Sequence, residues 1–502
     1  MATEDGTSVS LTGYDTNVTF ATSSGVMTLT NQSFFLDAGE SIIFSGYSNN
    51  PDNIQGAIGA LISSNKDIVV NSGNALGGVQ NGRGDFAIDQ IVSSSQIGTE
   101  YIFIEGNGTP DMEKPLIIAH EDNTEVYVNN ISTPIAVLNA GQYIFIPNTY
   151  YQGINNSNLY VRSSKPVFAY QPIGGGFDTA TSGLNFIPPL SCFFQNSVII
   201  PAVNRIGGVS YTADLMILTY ASSSLTVNGV PIPLSDAQNV LGNSDWVTYR
   251  VRNVFGDANI VSTGPLAAGV FGYLDDTAGY AGYYSGFGSN PQPTAVTICS
   301  NQTINLFDAI IGNPGENGTW TVPSGGSPLN NNIFDPSINI EGEYIYSFTK
   351  DCNSSPIPVD VAVSVTIQQA NNAGNNNSIS VCKSDPSFDL FPLLGTNVTP
   401  NGTWAPALAS GTSVFNPAVD VSGNYVYTIP NSGVCSGVSA TISVTNNALP
   451  LLTPISDFKK CDDNIDGDDT NGIVTFNLLS KTNEILNSQT GINVTYHELE
   501  SE

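Results

Sequence analysis

The chain has 502 residues, 43 of them acidic and 13 basic, which gives a net charge of −30, yet only 11% of positions carry any charge. A typical soluble domain is about 25% charged, so Asn, Ser, Thr and Gly must keep this surface wet. The acidic balance and the lack of a basic cluster exclude a nucleic-acid groove and disfavour anionic membranes, because such binding relies on Lys and Arg displacing counterions.

A chain this long suggests three or more domains, and 40% hydrophobic residues suffice for packed cores. No run reaches the roughly 18 apolar residues of a membrane helix. Met1-Ala2-Thr3-Glu4-Asp5 has neither the basic nor the apolar part of a signal peptide. Few Lys and widely spaced Cys favour an extracellular or cell-surface protein, with signal and sorting segments lying outside this stretch. Short apolar runs at 116–119, 125–128, 143–146 and 197–200, rich in β-branched and aromatic residues and separated by Asn, Asp, Gly and Pro, predict an all-β fold. Near the end, residues 476–486 carry Leu478, Leu479, Ile485 and Leu486 at helical spacing and predict one short helix.

Residues 1–290 contain about three copies of one β module. Glu4-Asp5-Gly6-Thr7, Leu36-Asp37-Ala38-Gly39 and Ser63-Ser64-Asn65-Lys66 return in order as Glu121-Asp122-Asn123-Thr124, Leu138-Asn139-Ala140-Gly141 and Ser163-Ser164-Lys165-Pro166. A degenerate third copy runs through 218–228 and closes at 261–266. Gly6 and Asn123 suit a tight turn because both adopt positive φ at little cost. The first copy begins at residue 2, inside a strand-turn unit, so the sequence reads as a piece of a longer protein.

Within this region His120-Glu121-Asp122 has the residue types of a catalytic or metal site. The first copy has Thr3 where the second has His120, which favours a purely structural turn. Arg83-Gly84-Asp85 lies in a Gly/Asn-rich loop, where ordinary turn chemistry accounts for it. No nucleophile elbow, zinc-protease motif or phosphate loop is present, and no carboxylate pair stands out. Tyr150, Tyr151, Tyr280, Tyr283 and Tyr284 are the candidate ligand surface, with cross-strand packing as the competing reading.

After the linker at 289–293 a second repeat appears. Cys299, Asn317-Gly318-Thr319-Trp320, Phe334-Asp335-Pro336 and Cys352 are matched by Cys382, Asn401-Gly402-Thr403-Trp404, Phe415-Asn416-Pro417 and Cys435, with the same 53-residue Cys spacing. This predicts two modules, 295–370 and 378–448, each closed by its own disulfide, 299–352 and 382–435, in the Cys…Trp…Cys order of an immunoglobulin-like sandwich. Each bond would contribute a few kcal/mol, roughly 3–4 in the chain-entropy model. Cys192, in a Pro-rich stretch, has no sequence partner and reads as a small buried apolar residue. Residues 449–502 begin a third unit with Cys461, whose partner by spacing would lie past residue 502. There Asp462, Asn464, Asp466 and Asp468 alternate like the start of a calcium loop, although Ile473 at the twelfth position excludes an EF-hand. Calcium is the one cofactor the sequence suggests.

Residues 117–126, 138–141, 163–167 and Ile187-Pro188-Pro189-Leu190 together resemble the N-terminal domain family of the IgG Fc-binding protein, over about residues 1–290. The likeness fades in the third copy, where Ala221-Ser222-Ser223-Ser224 replaces the acidic turn. Residues 295–502 resemble the tandem Cys/Trp modules of large Bacteroidetes surface proteins, for which type IX secretion and a gliding-motility-associated sorting domain are implied. The resemblance implies a scaffold and names no antibody contact. The resulting expectation is a non-catalytic extracellular or cell-surface adhesin fragment, in which a triplicated β head recognises a glycoprotein or polysaccharide on an immunoglobulin-like stalk. The alternative is an ancillary carbohydrate-binding or polysaccharide-degrading component of a secreted system.

Overall fold

The computed structural model describes residues 1–22, 25–28, 32–46, 50–77, 85–110, 112–154, 156–176, 180–274, 278–286, 290–312, 314–353 and 355–497. Arg83 and Gly84 lie outside the described residues. The described residues are all-β, apart from short 3-10 turns and one helix, Thr482–Leu486. It divides into two compact units: residues 1–296, 305–334 and 340–365 form the first, and 297–304, 335–339 and 366–502 the second.

In the first unit the repeats noted above become three similar strand trios. Thr7–Thr12 lies between Gln32–Leu36 and Leu61–Ser64, so that Val9 faces Phe34 on one side and Ser64 on the other. Thr124–Val128 lies between Ala136–Leu138 and the long strand Asn158–Gly176, and Val126 faces Ala136 and Ser163. In the third copy Leu225–Val227 lies between Val230–Ile232 and Ala258–Ser262, with Leu225 facing Ile232 and Ser262. Along Thr7–Thr12 and Thr124–Val128 every second residue is buried, the period expected of a strand with one face on a core.

Thr212–Tyr220 departs from that alternation because both of its faces are covered. Ala213, Leu215 and Ile217 pack with Ile200, Leu225 and Ile260 of the facing four-stranded sheet. On the other side Leu218 and Tyr220 meet Ile102, Tyr160 and Trp246, while Met216 meets Ile104, Ile173 and Phe271. The second and third copies thus share buried apolar surface through one strand. This unit also holds the antiparallel strands Thr319–Thr321 and Gly342–Cys352 and residues 355–365, with Thr319 facing Ser347 and Gly342 facing Val365.

In the second unit Asn377–Cys382 runs parallel to Val438–Asn447, followed by antiparallel Gly423–Ile429 and Thr403–Ala405. A small second layer, Phe388–Asp389 with Val414–Phe415, closes a core of Leu390, Phe415, Tyr425, Tyr427, Ala440 and Ile442. Farther on, the helix expected over 476–486 is shorter than its periodicity suggests. A 3-10 turn, Leu478–Lys481, leads into Thr482–Leu486, and Leu478 and Leu479 are exposed. Without a core to cover its apolar stripe, a helix this short gains little from propagation.

The disulfides differ from the expected pairs. Cys192 bonds to Cys352 in the first unit, and Cys299 bonds to Cys435 in the second. Cys382 and Cys461 are free and exposed. Cys192 is therefore a bridging residue, and neither 299–352 nor 382–435 forms. The physical reason is that the second cysteine of each repeat lies at a hairpin turn, and that turn seats on the element before its own module. Cys352 ends its strand beside Asn353, whose side-chain amide donates to Asp245 Oδ1 at 3.0 Å, while Phe348 meets Phe193 edge-on at 6.1 Å. Likewise, the Ser432–Cys435 turn is held by Gln368, whose Nε2 donates to the Ser432 carbonyl at 2.6 Å and whose Oε1 accepts from the Val434 amide at 3.3 Å.

Candidate functional site

The acidic turns that mark the repeat are internal clamps. In the first copy Asp5 Oδ1 accepts from the Ala38 amide and Asp37 Oδ1 from the Gly6 amide, both at 3.0 Å. In the second, Asp122 Oδ1 accepts from the Ala140 amide at 3.0 Å and Asn139 Oδ1 from the Asn123 amide at 3.2 Å. Thr7 and Thr124 each donate back to the carbonyl three residues earlier, at 2.6 Å. Lys66 and Lys165 cap the carbonyls of Asp5 and Asp122 at 2.6 and 2.7 Å. Gly6 (φ +65°) and Asn123 (φ +56°) take the left-handed conformation the turn requires. One side-chain oxygen of each of Asp5, Asp37, Asp122 and Asn139 thus meets a backbone donor, and the motif identifies the scaffold rather than a ligand. His120 is exposed, with its ring edge-on to Phe168 at 6.2 Å.

The third copy lacks the acidic turn and uses hydroxyls in its place. Ser224 donates its amide to Thr263 Oγ1 at 3.0 Å, and Thr219 Oγ1 lies 2.7 Å from Ser262 Oγ in the interior.

Four of the five candidate ligand-surface tyrosines are wholly or partly built into the packing. Tyr151 is 8% exposed, and its hydroxyl accepts from Gln171 Nε2 at 3.3 Å. Burial pushes its pKa well above the ordinary tyrosine range. Tyr150 and Tyr283 pack half-buried against the same core. Tyr280 lies over Gly272, where a Cβ would come within 2.1 Å of the ring, and meets Tyr211 edge-on at 5.2 Å. Only Tyr284, 50% exposed, offers substantial surface. The five do not form a flat stacking platform.

A buried charge cluster was not legible in the sequence. Arg250 donates from Nε and Nη2 to Asp214 Oδ2 at 3.0 and 2.9 Å, with side-chain exposures of 5% and 1%. Its other donors reach the Gly106 carbonyl at 3.0 Å and Asn107 Oδ1, and its guanidinium lies 4.7 Å from the Phe271 ring centre. Glu113, fully buried, accepts from the Gly106 and Gly108 amides at 3.2 and 3.1 Å. Desolvation lowers the Arg250 pKa, and the Asp214 charge opposes that shift. The cluster pins residues 105–107 to the third-copy sheet. Along the strand Trp246–Val251 Arg250 shares a face with Trp246 and Thr248, both buried, a placement that only the structure reveals.

The aspartates of the acidic loop bond within the loop. Asp466 Oδ1 accepts from the Asp468 amide at 3.2 Å, Asp468 Oδ1 from the Thr470 amide at 3.0 Å, and Asp462 Oδ2 from the Gly472 amide at 2.6 Å. Hydrogen bonds, first from side chains and then from backbone, lower the pKa of Asp466 and Asp468. Among the described residues no three His, Cys, Asp or Glu side chains lie close enough together to hold a metal ion. The carboxylates of Asp462, Asp466 and Asp468 each accept from an amide of the same loop.

Among solved structures, the chain is similar to extracellular domains 3–5 of Drosophila OTK, at 13% identity over 55% of this chain and 95% of that one, with a TM-score of 0.21. It is also similar to the I67–I69 fragment of titin, at 12% identity, 46% and 88% coverage and a TM-score of 0.20. The N-terminal eight Ig domains of DSCAM match at 12% identity, 89% and 59% coverage and a TM-score of 0.19. No curated protein matches the chain. Residues 457–502 match the family described as Flavobacterium inter-domain disulphide bond domain. Residues 1–272, more than half of the chain, match the family described as IgGFc binding protein, and the chain belongs to that family.

Proposed function

We propose that the protein is a non-catalytic binding protein of the cell surface or extracellular space, in which residues 1–272 recognise a glycoprotein or polysaccharide and the Cys/Trp modules act as a stalk. The observation that carries this reading is the Cys192–Cys352 bond, which ties the hairpin of the first Cys/Trp module covalently to a strand-rich head. A tether that must hold a ligand against drag benefits from such a bond. Disulfides also fit an oxidising compartment outside the cytosol. Since the repeated acidic turns are occupied by internal hydrogen bonds, recognition falls to the loops and faces between them. The match of residues 457–502 to a Flavobacterium family supports a bacterial surface protein, and export by the type IX route is part of the proposal.

Glycan and glycoprotein arrays probed with the full chain test the reading. Saturable binding without turnover is the expected result. Release of reducing ends that disappears on a single Asp or Glu substitution would overturn it in favour of a polysaccharide-degrading component.

A further inference from the structure

The two Cys/Trp modules build the same aromatic trio and differ in the segment beside it, where Asn332 of the first (φ +64°) stands in the place of Ser413 in the second. In the first module Trp320 and Phe307 flank Tyr346 at 5.0 and 5.3 Å, and the Tyr346 hydroxyl donates to the Gly315 carbonyl at 2.7 Å and accepts from the Gly318 amide at 2.8 Å. In the second, Trp404 and Phe391 flank Tyr427 at 5.2 and 5.4 Å, and the Tyr427 hydroxyl binds the Thr399 carbonyl and the Gly402 amide at 2.8 and 2.7 Å. A backbone bond fixes the register of the variable position. The Leu306 amide donates to the Asn332 carbonyl and the Leu390 amide to the Ser413 carbonyl, both at 2.9 Å.

Asn332 Oδ1 accepts the Trp320 indole N–H at 2.9 Å. Ser413, which has a shorter side chain and lacks the positive φ of Asn332, makes no such bond to the Trp404 indole. Neither Trp404 Nε1 nor the Ser413 hydroxyl has a hydrogen-bond partner among the described residues, and a cavity of about 400 Å³ opens beside them. Phe391, Trp404, Tyr427 and Leu408 provide apolar walls, and Asn401 and Ser413 provide polar groups.

We propose that this cavity in the second module is a binding site for a neutral hexose residue of a glycan. A pyranose presents an apolar C–H face and a rim of hydroxyls, which match an aromatic wall with an indole N–H, an amide and a hydroxyl at its edge. No charged side chain lines the cavity, and a net charge of −30 repels anionic ligands. The first module has the same three aromatic residues, but Asn332 already occupies the indole donor there. The site stands apart from whatever residues 1–272 recognise, so its failure leaves that reading intact.

The test is NMR of the full chain, following the indole N–H of Trp404 (assigned by its loss in Trp404→Phe) during titration with methyl glucoside, methyl galactoside, methyl mannoside and N-acetylglucosamine. A single small sugar in an open site binds weakly, so saturation with a Kd of about 1 mM is expected for at least one. Ser413→Asn puts a larger amide side chain at the polar edge of the cavity, should keep the fold, and should weaken binding at least about tenfold. Asn332→Ser should make the Trp320 indole respond as well. An unresponsive Trp404 resonance with all four sugars, undiminished binding in Ser413→Asn, or a response only to a proline-rich peptide would each overturn the proposal.

Discussion

Replacing Cys435 by Ser tests the staggered disulfides most directly. The Cys299–Cys435 bond spans 136 residues, and in the chain-entropy model a loop of that length restricts the unfolded state by about 5 kcal/mol at 25 °C. A 53-residue loop within one module would give about 4 kcal/mol. The two figures are too close for stability alone to separate the pairings, so the decisive readout is which thiols become free. Native alkylation of the wild-type protein should label Cys382 and Cys461, both exposed and unbonded. Because Cys299 is buried, the Cys435→Ser variant should label those two natively and Cys299 in addition once unfolded without reductant, and its urea midpoint should fall in proportion to a loss of up to about 5 kcal/mol. Non-reducing digestion should yield the peptide pairs 192–352 and 299–435. Labelling of Cys192 in the native wild type, or release of Cys382 rather than Cys299 by the substitution, would refute the stagger and restore pairing within each module.

The remaining predictions concern the clamps, the buried charges and the tail. Asp122→Ala removes the acceptor of the Ala140 amide at an exposed turn and should cost about 1 kcal/mol in denaturant unfolding without altering the strand register. Asp214→Ala leaves Arg250 buried without its carboxylate and should cost about 3–5 kcal/mol, whereas replacing both residues by apolar ones should recover most of that loss. Bonds from Lys481 and Ser456 hold Glu484 at about 2, below its ordinary 4.5. A depressed carboxylate pKa contributes stability that is present above the unfolded value and lost as pH falls through the folded one, so the 456–484 contact should persist to about pH 2. An NMR titration of Glu484 should show that midpoint, and Lys481→Met should move it up towards 4.5.

The parts of this protein that could be read from the sequence are those in which local chemistry and global position agree. Asp5, Asp37, Asp122 and Asn139 recur because one turn needs the same two acceptors each time, so their order in the chain maps onto an identical strand register. The cysteines recur just as regularly, yet their spacing carries no information on partners: Cys299 and Cys382 end equivalent strands, Cys352 and Cys435 mark equivalent hairpins, and both within-module and staggered pairing satisfy that pattern. What decides between them is which hairpin lies against which earlier strand, a tertiary fact set by contacts such as Gln368 with Ser432 and Phe193 with Phe348. Arg250 was hidden for a similar reason, since a charged residue in an alternating strand reads as surface until a second sheet covers it. The same limit applies to Trp404 and Trp320, identical in motif and aromatic neighbours. They differ in the bond that the Trp320 indole makes to Asn332, twelve residues on, and that the Trp404 indole does not make to Ser413, nine residues on, a contact between separate small sheets that sequence spacing does not reveal. Repetition therefore identifies the scaffold, and the residues that break the repetition are where distinct chemistry between otherwise equivalent modules is to be found.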